Sequence, residues 1–266
     1  MRKYGMPYKG SKNAIAEKLI NEMPAADCFV DLFGGGGAMS DCALQSGKYN
    51  KVIYNELDTL VFKGFKMAVN GEFKGEKRWI SRDDFQRLKD TDPYAAICFS
   101  FGNDLKTYCY AKEIERLKEQ LHYIFFAGTP NEARLCWRAF VREFNKSNQS
   151  LQSLQRLERL QSLQSLELYN LSYEQVDIPA NSVVYCDIPY KGTNEYKISF
   201  DYDKFYDWAR NTNEMIFISE YSMPDDFYCV ASFEKSCKLS ATSNKKTVEK
   251  LFCNEFARKK LGGLFL

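Results

Sequence analysis

The fold is decided by the stretch Cys28-Phe29-Val30-Asp31-Leu32-Phe33-Gly34-Gly35-Gly36-Gly37. Its apolar first half predicts a short buried strand over 28–33, its glycines predict a tight turn, and a helix-like segment follows from Ala38. A second strand is predicted over 51–54 and a second helix over 59–69. This strand–helix–strand–helix order predicts an α/β fold with a parallel, doubly wound sheet.

The same pattern resumes in the last third of the chain, after a segment of about one hundred residues that does not follow it. In this middle segment we predict mainly helical structure. Before the first strand, a helix is predicted over 12–23 with Ser11 as its cap. The other predicted elements are helices over 112–121, 131–144 and 203–211, and strands over 182–187, 215–219, 227–233 and 250–256.

A leucine repeat closes the middle segment, with leucine at every third position from 151 to 166. An α-helix turns by about 100° per residue, so leucines at this spacing wind around the helix instead of forming one stripe. Heptad spacing is absent, which argues against a coiled coil. We therefore expect a helical or partly disordered connector.

Composition excludes several kinds of site. The chain has nine cysteines but one histidine, His122, which argues against most Ser-His-Asp and Cys-His schemes and excludes metal sites built from several histidines. No two cysteines form C-x-x-C and most lie in apolar runs, as expected of thiols in a reducing compartment. No apolar run is long enough to span a membrane. We expect a cytoplasmic protein with no metal and no membrane partner.

Two motifs at strand ends carry the chemistry. In the first, the glycines after Asp31 let the backbone approach a ligand closely, and Glu56, at the end of the next strand, is placed to accept hydrogen bonds from ribose hydroxyls. This motif predicts a nucleotide-like cofactor but does not separate NAD from S-adenosylmethionine.

The second motif, Asp187-Ile188-Pro189-Tyr190, follows a predicted buried strand. The Asp187 carboxylate and the Ile188 carbonyl are suited to accept both hydrogens of an exocyclic amino group, and the Tyr190 ring is suited to stack on a nucleobase. Two acceptors favour localising the amine lone pair on nitrogen as it attacks an activated methyl group.

Together these motifs resemble the F-x-G-x-G and D-P-P-Y motifs of adenine-specific DNA methyltransferases. Their order, after a Tyr8-Lys9-Gly10-Ser11-Lys12 segment and around a long insertion, resembles the Dam-type (D12 class) branch. The resemblance implies a Rossmann-like methyltransferase sheet at 1–70 and 171–266, which binds S-adenosylmethionine, and an inserted target-recognition domain at 71–170. It also implies DNA as partner, a monomer in solution and a cognate restriction endonuclease.

The resemblance also assigns roles to residues. It places the cofactor against Tyr8, Lys12, Asp31, Phe33, Gly35, Gly37, Glu56 and Asp187, and catalysis at Asp187, Ile188, Pro189 and Tyr190. DNA contacts are expected from Lys9, Asn103, Lys106, Lys191, Lys197, Lys245 and Lys246. Ile188 replaces the family's usual proline, so the acceptor carbonyl remains but the fixed φ of proline is lost.

Three functions remain open at this point. The first is methylation of the exocyclic amino group of adenine in DNA. The second is an RNA or other amine methyltransferase, since the net charge of +2 is modest for a DNA-binding protein. The third is a non-catalytic DNA-binding descendant, which the departure at Ile188 motivates.

Overall fold

In the computed structural model, the residues described are 4–126, 149–163, 165–189, 200–238 and 244–262. The chain divides into two compact units. The first consists of Met1–Tyr4, Lys12–Leu57 and Ser165–Leu266, and the second of Gly5–Ser11 and Asp58–Gln164. The predicted helix over 131–144 lies outside the described residues.

The strands among the described residues all belong to the first unit. They are β1 (Ala26–Asp31), β2 (Tyr49–Asn55), β3 (Glu167–Tyr169), β4 (Ser182–Cys186), β5 (Met215–Glu220), β6 (Tyr228–Lys238) and β7 (Asn244–Cys253). They form one seven-stranded sheet in the order β3-β2-β1-β4-β5-β7-β6. Strands β1 to β5 are parallel, whereas β7 runs antiparallel to both of its neighbours. The predicted α/β, Rossmann-like sheet is confirmed.

Helices connect these strands and form the second unit. The α-helices are α1 (Ala16–Glu22), α2 (Ala38–Ser46), α3 (Thr59–Val69), α4 (Arg82–Leu88), α5 (Pro93–Cys98), α6 (Lys112–Phe126), α7 (Gln149–Arg159), α8 (Tyr202–Asn211) and α9 (Glu255–Lys260). Short 3₁₀ helices cover Lys12–Ala14, Phe101–Asn103, Leu160–Leu163 and Tyr173–Gln175. No described helix is long and apolar enough to cross a membrane.

The sheet is buried by apolar runs on its central strands. β4 is buried along its whole length, as is β5, which is typical of parallel strands covered on both faces. Part of the core contains Val30, Val184 and Ile216, against which Phe205 of α8 packs. This packing fixes the strand ends from which the two sequence motifs emerge.

In the second unit, the leucine repeat is helical, which is one of the two forms we expected, and it contributes buried leucines. Leu154 and Leu157 lie in α7 and Leu160 and Leu163 in the following 3₁₀ turn, and all four are buried. A 3₁₀ helix has about three residues per turn, so residues three apart align on one face. The 3₁₀ turn therefore aligns Leu160 with Leu163. The leucines of α7 and of this turn are buried because the segment packs against α3 and α5.

The local predictions differ from the structure at three places. The predicted helix over 12–23 begins as a 3₁₀ turn over Lys12–Ala14, and α1 itself begins only at Ala16. The predicted strand over 250–256 ends at Cys253, since the Asn254 side chain accepts a hydrogen bond from the Ala257 amide and starts α9. Helices α4 and α5 were not predicted, although Ser81 and Asp92 cap them in the same way.

Candidate active site

Both sequence motifs leave neighbouring strands at the point where the strand order reverses. From β1 the chain builds outward through β2 to β3 on one side, and through β4 and β5 on the other. Asp31, the last residue of β1, pairs in register with Tyr185 of β4. Crevices outside the carboxyl ends of such strands are where open α/β sheets bind ligands.

The glycine turn after β1 has no room for a side chain at its first position, Gly34. A Cβ atom at Gly34 would lie 2.1 Å from the ring of Tyr54, which is fully buried. The Tyr54 hydroxyl also donates a hydrogen bond of 2.8 Å to the Gly35 carbonyl, which holds the ring in place. Gly35 and Gly37 have φ angles of 48° and 68°, a region that favours glycine.

Glu56 is fixed against this turn. It follows β2, and its Oε2 accepts a hydrogen bond of 2.8 Å from the Gly35 amide. The Glu56 amide in turn donates to the Tyr169 carbonyl at 3.1 Å, so backbone and side chain are both positioned. The expected ribose-binding carboxylate therefore lies beside the glycine turn, half-buried.

Asp31 is buried beneath the same turn. Its Oδ2 accepts hydrogen bonds from the Ser40 amide at 3.1 Å and the Ser40 hydroxyl at 2.7 Å. Burial raises the pKa of Asp31 to about 7, and the charges of Asp187 and Glu56 act in the same direction, while the bonds from Ser40 oppose them. Asp31 thus links β1 to the start of α2.

Asp187 is held by a buried lysine. The Nζ of Lys12 lies 2.6 Å from both Asp187 carboxylate oxygens and 3.2 Å from Oε1 of Glu249 on β7. Lys12 is 3% exposed and Glu249 2%, whereas the Asp187 side chain is 22% exposed. Burial alone would lower the pKa of Lys12, but the two carboxylates outweigh it and the pKa is raised, so Lys12 stays cationic at neutral pH.

Glu249 is the site residue that sequence reasoning missed. A signal existed: Glu249 alternates with Leu251 and Cys253, which are buried, so an acid stands in the inward-facing set of β7. Lys12 was expected to contact the cofactor, and in the structure its ammonium group forms an ion pair with Asp187. A cofactor contact by Lys12 stays a prediction.

The second residue of the second motif, Ile188, is anchored in the core of the first unit. The Ile188 side chain is 1% exposed and belongs to the same core cluster as Phe205. Pro189 is half-buried, and Tyr190 lies outside the described residues. Phe33 packs its ring against Tyr173 at a centroid distance of 5.7 Å and against Phe205 at 5.8 Å.

Four predicted residues belong to the second unit. Lys9 and Asn103 are brought together there, since the Lys9 amide donates to the Asn103 carbonyl at 3.2 Å. The Asn103 side-chain amide donates to the Ile97 carbonyl and the Ser153 hydroxyl, at 2.9 and 3.0 Å. Lys9 and Lys106 are exposed and Tyr8 is half-buried.

The remaining predicted DNA contacts are partly outside the described residues. Lys191 and Lys197 fall there. The backbone of Lys245 and Lys246 lies in β7, opposite Cys237 and Ser236 of β6. Their roles in DNA binding stay predictions.

A match to a protein family supports the assignment that the motifs suggested. Among solved structures, the chain resembles the rRNA methyltransferase AviRa from Streptomyces viridochromogenes, with 11% sequence identity, coverage of 93% of this chain and 85% of that chain, and a TM-score of 0.39. No curated protein sequence matches. The family model of the D12 class N6 adenine-specific DNA methyltransferases matches residues 8–254, almost the whole chain. With both motifs of that family at the switch point of its sheet, the chain belongs to the D12 class N6 adenine-specific DNA methyltransferase family.

Proposed function

We propose that this adenine-specific DNA methyltransferase takes its methyl group from S-adenosylmethionine and transfers it to the exocyclic amino nitrogen of an adenine flipped out of the duplex. The observation that carries the proposal is the meeting of two motifs at neighbouring strand ends. The glycine turn and Glu56 lie on one side of the switch point, and Asp187 follows the adjacent strand β4.

The residues around the glycine turn fit this cofactor. A side chain at position 34 would collide with Tyr54, so only backbone atoms line the turn at that point. Glu56, fixed by the Gly35 amide, offers carboxylate oxygens of the kind that bind ribose hydroxyls. S-adenosylmethionine supplies a methyl group on a sulfonium centre, and the acids Asp31, Glu56 and Asp187 suit a positively charged group.

Asp187 and the Ile188 carbonyl are proposed to accept the two hydrogens of the adenine amino group. This interaction localises the amine lone pair on nitrogen, which makes it a better nucleophile. Lys12 lies on both Asp187 oxygens, so it fixes the orientation of the carboxylate, and Glu249 in turn fixes Lys12. Tyr190 is proposed to stack on the adenine ring.

The other two functions considered from the sequence are not favoured. The family match indicates an adenine-specific DNA methyltransferase rather than an RNA or other amine methyltransferase, or a non-catalytic descendant. DNA contacts by the predicted lysines and Asn103, target recognition by residues 71–170, a partner endonuclease, a monomeric state and a cytoplasmic location stay proposals.

The test supplies labelled S-adenosylmethionine and duplex DNA to the wild type, to Asp187→Ala and to Asp207→Ala. Asp207 is an exposed acid that pairs with Arg210, so its loss controls for removal of a carboxylate. We expect Asp187→Ala to lower transfer at least about 100-fold while still binding the cofactor, and Asp207→Ala to behave as wild type. Full transfer by Asp187→Ala would refute the role given to Asp187.

A further inference from the structure

Ile188 removes one of the two backbone restraints that the family's motif places around the proposed acceptor carbonyl. In the family's usual motif two prolines restrict the backbone on both sides of the acceptor carbonyl. Here residue 188 is isoleucine, so no ring fixes its φ, while the next residue is still a proline whose ring fixes φ near −65°. A carbonyl that must meet one hydrogen of an amino group needs its peptide plane held by some other means.

Two contacts of this chain supply restraints around that plane. The first is the Ile188 side chain, which is 1% exposed and packed in the core with Phe205. The second is a hydrogen bond of 3.0 Å from the hydroxyl of Tyr202 to the carbonyl of Pro189. Because the peptide unit that contains the Ile188 carbonyl is planar, fixing its two flanks limits how it rotates.

Tyr202 is itself well positioned. It is the first residue of α8, whose start is capped by the Asp201 side chain on the Lys204 amide at 3.0 Å. Its ring is half-buried against Phe200, at a centroid distance of 5.0 Å. Burial raises the pKa of Tyr202, so its hydroxyl remains a donor at neutral pH.

We propose that Tyr202 is a positioning residue for methyl transfer, which holds the Ile188 carbonyl in its acceptor orientation through Pro189 and replaces the rigidity of the missing proline. The proposal rests on the proposed function of Asp187 and Ile188. It makes Tyr202 and residue 188 energetically coupled, since a proline at 188 would make the Tyr202 hydroxyl less necessary.

The activity test is a double-mutant cycle with Tyr202→Phe and Ile188→Pro, and Tyr206→Phe as the matched control. Tyr206 lies one turn further along α8 and packs against Phe227. We expect Tyr202→Phe to lower kcat about 3- to 10-fold, the range of one neutral hydrogen bond, with KM for DNA unchanged. In the Ile188→Pro background the same change should cost less than about twofold. An equal loss in both backgrounds, or none in either, overturns the proposal.

A second readout does not depend on activity. Hydrogen exchange of the amides of Asp187 and Ile188, followed by mass spectrometry, should be faster in Tyr202→Phe than in the wild type and in Tyr206→Phe. Unchanged exchange overturns the proposal even if Ile188→Pro fails to fold. If exchange rises but the wild type transfers no methyl group, the proposed function fails; Tyr202 then restrains the backbone at Ile188 but has no role in methyl transfer.

Discussion

Replacement of Lys12 by methionine tests the buried charge cluster of Lys12, Asp187 and Glu249. The substitution keeps most of the side-chain volume and removes the ammonium. The Nζ atom of Lys12 lies 2.6 Å from an oxygen of Asp187 and 3.2 Å from an oxygen of Glu249, so these two oxygens are less than about 6 Å apart. Without the cation, they face each other as two like charges.

The expected cost follows from Coulomb's law. Two like charges at about 6 Å repel by about 3 kcal/mol at an effective dielectric constant of about 20. Removal of one partner from a buried ion pair generally costs about 3–5 kcal/mol, which agrees with that figure. We therefore expect Lys12→Met to lower the free energy of unfolding by about 3 kcal/mol and to abolish most methyl transfer, because Asp187 loses its orientation.

The assay is urea unfolding of four proteins: wild type, Lys12→Met, Lys12→Met/Glu249→Gln and Lys51→Met. In the double variant the like charge of Glu249 is gone, so at least about half of the lost stability should return. Lys51 forms an exposed ion pair with Glu167 at 2.9 Å, and because solvent screens such a pair, its loss should change the stability little. If Lys12→Met is as stable as Lys51→Met, or the double variant is no better than the single, the reasoning is refuted.

Two further changes test the glycine turn and the buried acid beneath it. Gly34→Ala places a methyl group against the buried ring of Tyr54, so we expect a loss of about 3 kcal/mol in the free energy of unfolding and weaker cofactor binding; wild-type stability would contradict the packing. Asp31 has its pKa raised from 3.8 to about 7, so the folded state keeps its proton where the unfolded chain has lost it. The contribution of protonated Asp31 to the free energy of unfolding is therefore full below about pH 4 and is lost as the pH rises through about 7. Asp31→Asn should flatten the dependence of the free energy of unfolding on pH between those values. An unchanged slope would contradict this.

Much of the fold was predictable because its signals are local. The run from Cys28 to Gly37 gives both the first strand and the turn, since a buried strand is apolar and a tight turn needs glycine. The burial of the leucine repeat was harder to predict, because it depends on packing against α3 and α5 and on a change from α to 3₁₀ geometry at Leu160, and the spacing of the leucines specifies neither.

The candidate site divides in the same way. Asp31, Glu56 and Asp187 follow apolar strands, so their places at one edge of a parallel sheet could be predicted. The contact of Lys12 with Asp187 and Glu249 could not, because it joins residues 175 and 237 positions apart in sequence. Tyr202 belongs to no motif identified in the sequence, and its hydrogen bond to Pro189 depends on how α8 packs.

The central claim is that Asp187 and its neighbours direct a methyl group to the amino nitrogen of adenine in DNA. Its most direct test is mass spectrometry of nucleosides from DNA incubated with S-adenosylmethionine and either the wild type or Asp187→Ala. We predict N6-methyladenine with the wild type and none above background with Asp187→Ala. Absence of N6-methyladenine with the wild type, or methylation at another atom, would contradict the account.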